Sequence, residues 1–176
     1  NVLPVIATGR TEAEIKHIMS DAGITSAVTM NGSYISVDGK EIHSEKFSTD
    51  ECQRMLDHVT SQGHQLSFYN HQNIWCTSHD QTMIEAYDFI HSTVPEINPY
   101  AFLDHPINML LILSKSGDEY YHEHFPELTF YRNGPYSIDT VKKGISKGVG
   151  VKRLKQEMDL ADVPTFGFGD GPNDFA

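Results

Sequence analysis

The sequence predicts an α/β protein in which a parallel sheet flanked by helices is interrupted by an inserted α+β unit. Three observations predict this. A strand, helix, strand pattern fills residues 2–30, an antiparallel texture of hairpins takes over from Ile35, and the first texture returns after Arg132-Asn133-Gly134-Pro135. These seams give a first α/β part at 1–34, an α+β insertion at 35–131 and a second α/β part at 132–176.

Val2-Leu3-Pro4-Val5-Ile6-Ala7 is a short apolar run that reads as a strand buried on both faces, and it ends in Thr8-Gly9-Arg10. A helix follows. Thr11 and Glu14 have capping-box spacing, Ile15, Ile18, Met19 and Ala22 share one helical face, and Gly23 stands where a left-handed cap residue belongs. Ala27-Val28-Thr29-Met30 is the second strand, stopped by Asn31-Gly32. A parallel crossover unit results.

The hairpin texture begins with Tyr34 to Val37 and Lys40 to Ile42, joined by the favoured turn dipeptide Asp38-Gly39. Ser48 or Thr49 caps a helix whose Cys52, Met55, Leu56 and Val59 form an apolar stripe closed by Gly63. Leu66 to Tyr69 with Ile74 to Cys76 predicts another hairpin, a helical stretch surrounds Met83, Tyr87 and Ile90, and Asn108 to Leu113 reads as a strand. In the last part, Tyr136 to Val141 is a strand assigned to the α/β texture, a helix follows Lys147, and Thr165-Phe166-Gly167-Phe168 looks like a buried strand.

A chain of 176 residues, 39% of them hydrophobic, with a mean hydropathy of -0.39, can bury a core and is globular in composition. The formal charge of -11 and the pI near 5.2 work against nucleic acid or an anionic membrane as partner, and a phosphorylated ligand would need a cation to bring it in. No apolar stretch approaches the roughly 20 residues of a spanning helix. Cys52 and Cys76 are too few for a disulfide framework and read as free thiols of a cytoplasmic protein.

Chemistry concentrates at strand ends of the α/β parts. Asp170-Gly171-Pro172-Asn173-Asp174 follows an apolar strand and opens a helical turn, placing two carboxylates and a carboxamide together as hard oxygen ligands suited to Mg²⁺. The competing reading is a helix amino terminus that simply favours Asp and Asn. Thr8-Gly9-Arg10 offers a hydroxyl, backbone N–H groups and a guanidinium able to hold phosphate. Lys147 sets an ammonium beside a helix amino terminus, although a solvated surface lysine is the plain alternative. His122-Glu123-His124 lacks the matched spacing of a zinc site, and Phe68, Tyr69 and Trp75 on hairpin strands read as core aromatics, with the lining of a substrate pocket as the alternative.

The ordered set Thr8-Gly9-Arg10, Ser146-Lys147-Gly148 and Gly169-Asp170-Gly171-Pro172-Asn173-Asp174, with an insertion between the first two, resembles the Cof-like branch of the haloacid dehalogenase superfamily. The resemblance spans essentially the whole chain and implies a Rossmann-like core with an inserted type IIB α+β cap. It implies a Mg²⁺-dependent phosphatase acting on a small-molecule phosphorylated substrate through an aspartyl-phosphate intermediate. Carried over residue by residue, Thr8 is the hydroxyl that binds the transferring phosphoryl group, and Lys147 steadies nucleophile and phosphate. Asp170 and Asp174 are the metal residues. Gly9, Arg10, Asn31 and Asn173 complete the phosphate-binding set, with Asn31-Gly32 matching the loop into the cap.

One departure matters. The family's Asp-x-Asp loop, which carries the nucleophile and its acid/base partner on the first core strand, is not found in this sequence. The chain is therefore expected to be a portion of a longer protein, inactive alone. The rival reading is a non-catalytic phospho-ligand binding or regulatory protein of the same fold. The phosphorylation domain of a cation-transporting ATPase, which shares a Gly-Asp-Gly-x-Asn-Asp loop, is disfavoured by the position of the insertion.

Overall fold

The computed structural model describes residues 2–132, 134–169 and 171–174. Asp170, one of the two expected metal residues, lies outside the described residues. Among the described residues the strands divide into a four-stranded sheet, whose strands lie side by side in chain order, and a six-stranded sheet.

The first sheet comprises β1 (Ile6–Ala7), β2 (Ser26–Thr29), β3 (Tyr34–Val37) and β4 (Lys40–Ser44). β1 runs parallel to β2, and helix α1 (Glu12–Ala22) makes the crossover between them. Its start obeys the capping box: the Thr11 hydroxyl accepts from Glu14 N, and the Glu14 carboxylate accepts from Thr11 N at 2.8 Å. Gly23 closes it at φ 65°. The β3–β4 turn is built on Asp38 and Gly39, both at positive φ, as a two-residue hairpin of this twist requires. Helix α5 (Lys147–Glu157) packs Leu154 onto Val28 and Ile35.

The buried run expected over Val2–Ala7 is shorter and more open. β1 has two residues, Ala7 is exposed and Val2 is 92% exposed, because β1 is an edge strand with β2 as its neighbour. The strand expected at Thr165–Phe168 is not formed. Among the described residues no strand pairs with that segment, and its Phe166 and Phe168 rings are 86% and 99% exposed.

The second sheet is built from β5 (Gln65–Tyr69), β6 (Ile74–Cys76), β7 (Glu96–Ile97), β8 (Met109–Leu113), β9 (Leu128–Tyr131) and β10 (Ser137–Lys142). β8 is buried on both faces and supplies both cores, as strict alternation dictates. Leu110 and Ile112 join Leu66, Phe68 and Ile138 beneath helices α2 (Thr49–Ser61) and α4 (Asp118–His124). Met109, Leu111 and Leu113 face the other way, toward Tyr69, Val141, helix α3 (Gln81–Phe89) and, from the first sheet's side, Met30 and Tyr34.

Strand pairing does not follow the seams read from texture. The boundary expected at 34/35 falls in β3, which pairs with β2 through all four residues of each strand. Beyond the boundary at 131/132, β10 pairs antiparallel with β8 and β9 and so belongs to the six-stranded sheet. The chain passes between sheets at 45–48 and at 143–146. Phe47 pins the first crossing by donating its N–H to the Ile107 carbonyl at 2.8 Å, and the Tyr131 hydroxyl pins the second by donating to the Ile145 carbonyl at 3.2 Å. A stacked Tyr34–His71 ring pair and a bond from Ala13 N to the His71 carbonyl add further ties.

Candidate active site

The loop after β1 is fixed by its own main chain. Thr8 N donates to the Val28 carbonyl, Asn31 N donates to the Thr8 carbonyl, and Met30 N donates to the Arg10 carbonyl, each near 3 Å. The Thr8 hydroxyl oxygen accepts from Arg10 N at 3.1 Å, which leaves its proton for donation elsewhere. The Arg10 guanidinium donates to the Ile90 carbonyl at 3.0 Å and lies 3.9 Å from the Glu14 carboxylate.

The turn after β2 is unusual in backbone and in burial. Met30, Asn31 and Gly32 have successive φ values of 49°, 56° and 101°, a sequence that costs conformational energy for the two non-glycine residues. Only glycine fits the third position. A Cβ on Gly32 would stand 2.2 Å from the Ser146 carbonyl oxygen, so the turn presses directly on the start of α5. The Ser146 hydroxyl caps that helix by accepting from Val149 N at 3.1 Å, and Lys147 is its first residue.

The Lys147 ammonium donates to Oδ1 of Asp174 at 2.7 Å. Asp174 ends the 3₁₀ turn Pro172–Asp174, and its Oδ2 accepts from Gly171 N at 2.8 Å. One residue earlier, Asn173 is buried and donates to Oδ1 of Asn31 at 2.8 Å. Thus Thr8, Asn31, Lys147, Asn173 and Asp174, drawn from both ends of the sequence, form one connected patch.

A cavity of about 450 Å³ opens between this patch and the six-stranded sheet. Thr8, Gly9, Arg10, Gly171 and Asn173 line one side, while Tyr69, Met109, Leu111, Ser137 and Asp139 line the other. Lys147 and Asp174 are outside its lining. Burial, and next the adjoining Tyr87 hydroxyl at 2.8 Å, hold the Tyr69 phenol well above its ordinary pKa, so it remains a neutral hydrogen-bonding group.

Asp139 is not recognisable as a site residue from sequence, and Tyr69 is so only as the less favoured reading of a hairpin aromatic. Tyr69 sits among hairpin aromatics that read as core, and Asp139 is a lone acid in a strand whose sheet partners sequence does not specify. The one available signal is alternation: Ser137, Asp139 and Val141 share a face, opposite the buried Ile138 and Thr140.

The oxygen donors of this corner suit a hard cation in kind, and fall short in number. Among the described residues no group of three His, Cys, Asp or Glu is placed to hold a metal ion, and both oxygens of Asp174 are already engaged. The described residues therefore make up no more than one side of a Mg²⁺ site. His122 and His124 lie on α4, packed against Phe130 and Tyr120 respectively. Among the described residues no helix is long and apolar enough to cross a membrane.

The Thr-Gly-Arg loop and the Gly-x-Asn-Asp turn meet at one cavity of an α/β, Rossmann-like fold, with the helix-initial lysine bonded to that turn just outside the lining. The chain belongs to the haloacid dehalogenase-like hydrolases, whose family profile matches residues 1–176. It is 25% identical over 170 residues to YkrA of Bacillus subtilis (strain 168), a candidate phosphatase, covering 96% of this chain and 66% of that protein. A hypothetical protein of Geobacillus kaustophilus HTA426 superposes with a TM-score of 0.80 at 22% identity, over 89% of this chain and 62% of that one. The subclass IIB sugar phosphatase BT4131 superposes with a TM-score of 0.74 at 20% identity, over 88% and 62% respectively. The chain thus spans about two thirds of the length of these relatives.

Proposed function

We propose that this chain is the larger part of a Mg²⁺-dependent phosphatase that hydrolyses phosphate monoesters of small metabolites, sugar phosphates or phosphorylated cofactors. The nucleophilic aspartate and its acid/base partner are carried upstream of Asn1, so residues 1–176 alone are expected to be inactive. The observation that supports this reading is the hydrogen-bonded patch that brings Thr8, Asn31 and Asn173 next to the Lys147–Asp174 pair, with Thr8 and Asn173 lining the adjoining cavity.

In this reading a carboxylate oxygen attacks phosphorus and the bond to the leaving oxygen breaks, giving an aspartyl-phosphate. The second aspartic acid transfers its proton to the departing oxygen. Water then attacks the acyl phosphate and inorganic phosphate leaves. Thr8 donates its hydroxyl proton to a phosphoryl oxygen, and the backbone at Gly9 approaches closely because no side chain intervenes. Arg10 completes the anion-binding side, while Asn31, expected from sequence to contact phosphate, is fully buried with its amide committed to Asp139 and Asn173 and supports the loop from behind. Lys147 offsets the repulsion between carboxylate and phosphate. When bound, Mg²⁺ supplies further charge neutralisation, with Asp170 and Asp174 as the ligands this chain would contribute.

The two sheets act in this reading as core and cap, with pivots at the crossings 45–48 and 143–146 rather than at the textural seams. The cap covers the phosphoryl group and selects the leaving group. Two buried free thiols suit a reducing compartment, and a cytoplasmic location is part of the proposal.

The test is a screen of the full-length protein against phosphorylated metabolites with and without Mg²⁺, alongside Asp170→Asn on a generic aryl phosphate. Metal-dependent phosphate release that the variant loses by orders of magnitude is expected. Wild-type turnover by Asp170→Asn would remove the metal assignment, and absence of release across the panel would remove the activity.

A further inference from the structure

Three side chains from distant parts of the sequence form a line across the boundary between the sheets. Asn31, in the turn after β2, donates through Nδ2 to Oδ2 of Asp139 at 2.8 Å, and its Oδ1 accepts from Nδ2 of Asn173 at 2.8 Å. Asp139 lies on β10 of the six-stranded sheet, opposite Leu111 of β8. Asn173 lies in the Pro172–Asp174 turn.

The chemistry of the groups dictates the direction of this line. An ionised carboxylate only accepts hydrogen bonds, so Asn31 must turn its NH₂ toward Asp139 and its oxygen toward Asn173. Asn173 must then offer its own NH₂ to Asn31, which turns its oxygen back into the loop. That oxygen would stand 2.8 Å from a Cβ built on Gly171. A carboxylate on one sheet thereby selects the orientation of two amides on the other, the second beside the Lys147–Asp174 pair.

The backbone is organised to keep the line in register. Asn31 is fully buried at φ 56° and ψ 27°, a conformation asparagine tolerates better than most residues, and its N–H is held by the Thr8 carbonyl. Gly9 brings the first loop against the same junction: a Cβ there would lie 3.0 Å from Oδ2 of Asp139 and 3.3 Å from Oδ1 of Asn31.

We infer that Asp139 is a positioning residue: through Asn31 it fixes the Asn173 amide with its oxygen facing the Gly171–Asp174 loop, so this loop takes its working arrangement when β10 is seated on the core. The kinetic consequence rests on the phosphatase reading, and the hydrogen-bond consequence does not. Because Asp139 also lines the cavity, the competing role is direct contact with the leaving group of the substrate.

The experiment uses the full-length protein and the variants Asp139→Leu, Asp139→Asn, Asn31→Leu and the Asp139→Leu/Asn31→Leu pair. Kinetics are measured on two esters with unlike leaving groups, an aryl phosphate and a sugar phosphate. Asp139→Leu is expected to lower kcat by about 10- to 100-fold on both esters with little change in KM, as loss of an orienting partner does. Asp139→Asn, which can still present an oxygen to Asn31, is expected to restore most of that loss. The double variant should be no worse than the worse single one. Loss confined to the KM of one ester, equal damage in both Asp139 variants, or additive losses would each overturn the inference. Side-chain amide resonances supply an activity-independent arm: Asp139→Leu should shift the Asn173 NH₂ pair and Asp139→Asn should largely preserve it. If the wild type hydrolyses neither ester, the phosphatase reading falls, and an unmoved Asn173 resonance in Asp139→Leu would overturn the link itself.

Discussion

The ammonium of Lys147, at the first position of its helix, is bonded at 2.7 Å to the carboxylate of Asp174, at the end of a turn formed far along the chain. The Lys147 side chain is 13% exposed and that of Asp174 is 26% exposed, so the pair sits at the edge of the fold with its lysine the better covered partner. Each of its members is held by a separate device, Lys147 by the Ser146 cap and Asp174 by the Gly171 N–H.

Such a pair should behave as a unit in catalysis. In the full-length protein, Lys147→Met and Asp174→Asn are each expected to lower kcat by about 10²- to 10³-fold, with a double variant little worse than either. Steady-state kinetics of the three variants checks this, and independent, multiplying losses would count against it. Magnesium titration by calorimetry gives a second readout, with Asp174→Asn expected to bind more weakly.

Gly32→Ala should destabilise the fold by about 2–4 kcal/mol, since it adds strain at φ 101° to a 2.2 Å collision with the Ser146 carbonyl. Gly23→Ala is the control, with a similar positive φ of 65° and open space around the added methyl, and should cost only about 1 kcal/mol. Urea unfolding of both variants separates conformational strain from steric contact.

Much of this was legible in sequence, and the failures have a common cause. Local chemistry announced the Thr11–Glu14 capping box, a cap at Ser48 or Thr49, which the structure places at Ser48 with Glu51 completing a capping box, the Asp38-Gly39 turn and the helix at Lys147, because each is decided within a few residues. Sheet membership is decided elsewhere. The Tyr136 to Val141 run carries no mark of whether it pairs with β2 or β8, so its transfer to the six-stranded sheet, and with it the approach of Asp139 to Asn31, could be found only in three dimensions. Thr165 to Phe168 has the apolar character of a buried strand but pairs with no strand among the described residues, and pattern alone cannot say whether a partner is at hand.

Neither thiol should react in the native protein. Cys52 and Cys76 are fully buried, and burial pushes their thiols up to about 12 and about 11 respectively, so thiolate is scarce near neutrality. Ellman's reagent is expected to modify both only after denaturation; rapid labelling of either in the folded chain would contradict the burial.

Stability should fall on mild acidification. The pKa values of His43, His58 and His64 are lowered from 6.5, in each case mainly by burial. His43 also meets the Arg153 guanidinium, and His64 the Tyr121 hydroxyl at 2.7 Å. The unfolded chain takes up protons near pH 6.5 where the folded chain does not, so the folded state loses stability as pH drops below about 6.5 toward the lowered values. Thermal melts between about pH 7.5 and 5.5 should show Tm declining more steeply for the wild type than for His64→Gln.

The second crossing between the sheets gives the molecule a mechanical bias. From Lys142, the last residue of β10, the chain reaches Lys147 through only the segment 143–146, and that segment is clasped on one side by the Tyr131 hydroxyl and on the other by the collar of Gly32. Any swing of the six-stranded sheet therefore pulls on a leash whose far end is the lysine itself. In the phosphatase proposed above, movement of that sheet would shift the Lys147 charge together with the cavity wall, so access and electrostatics would be a single degree of freedom.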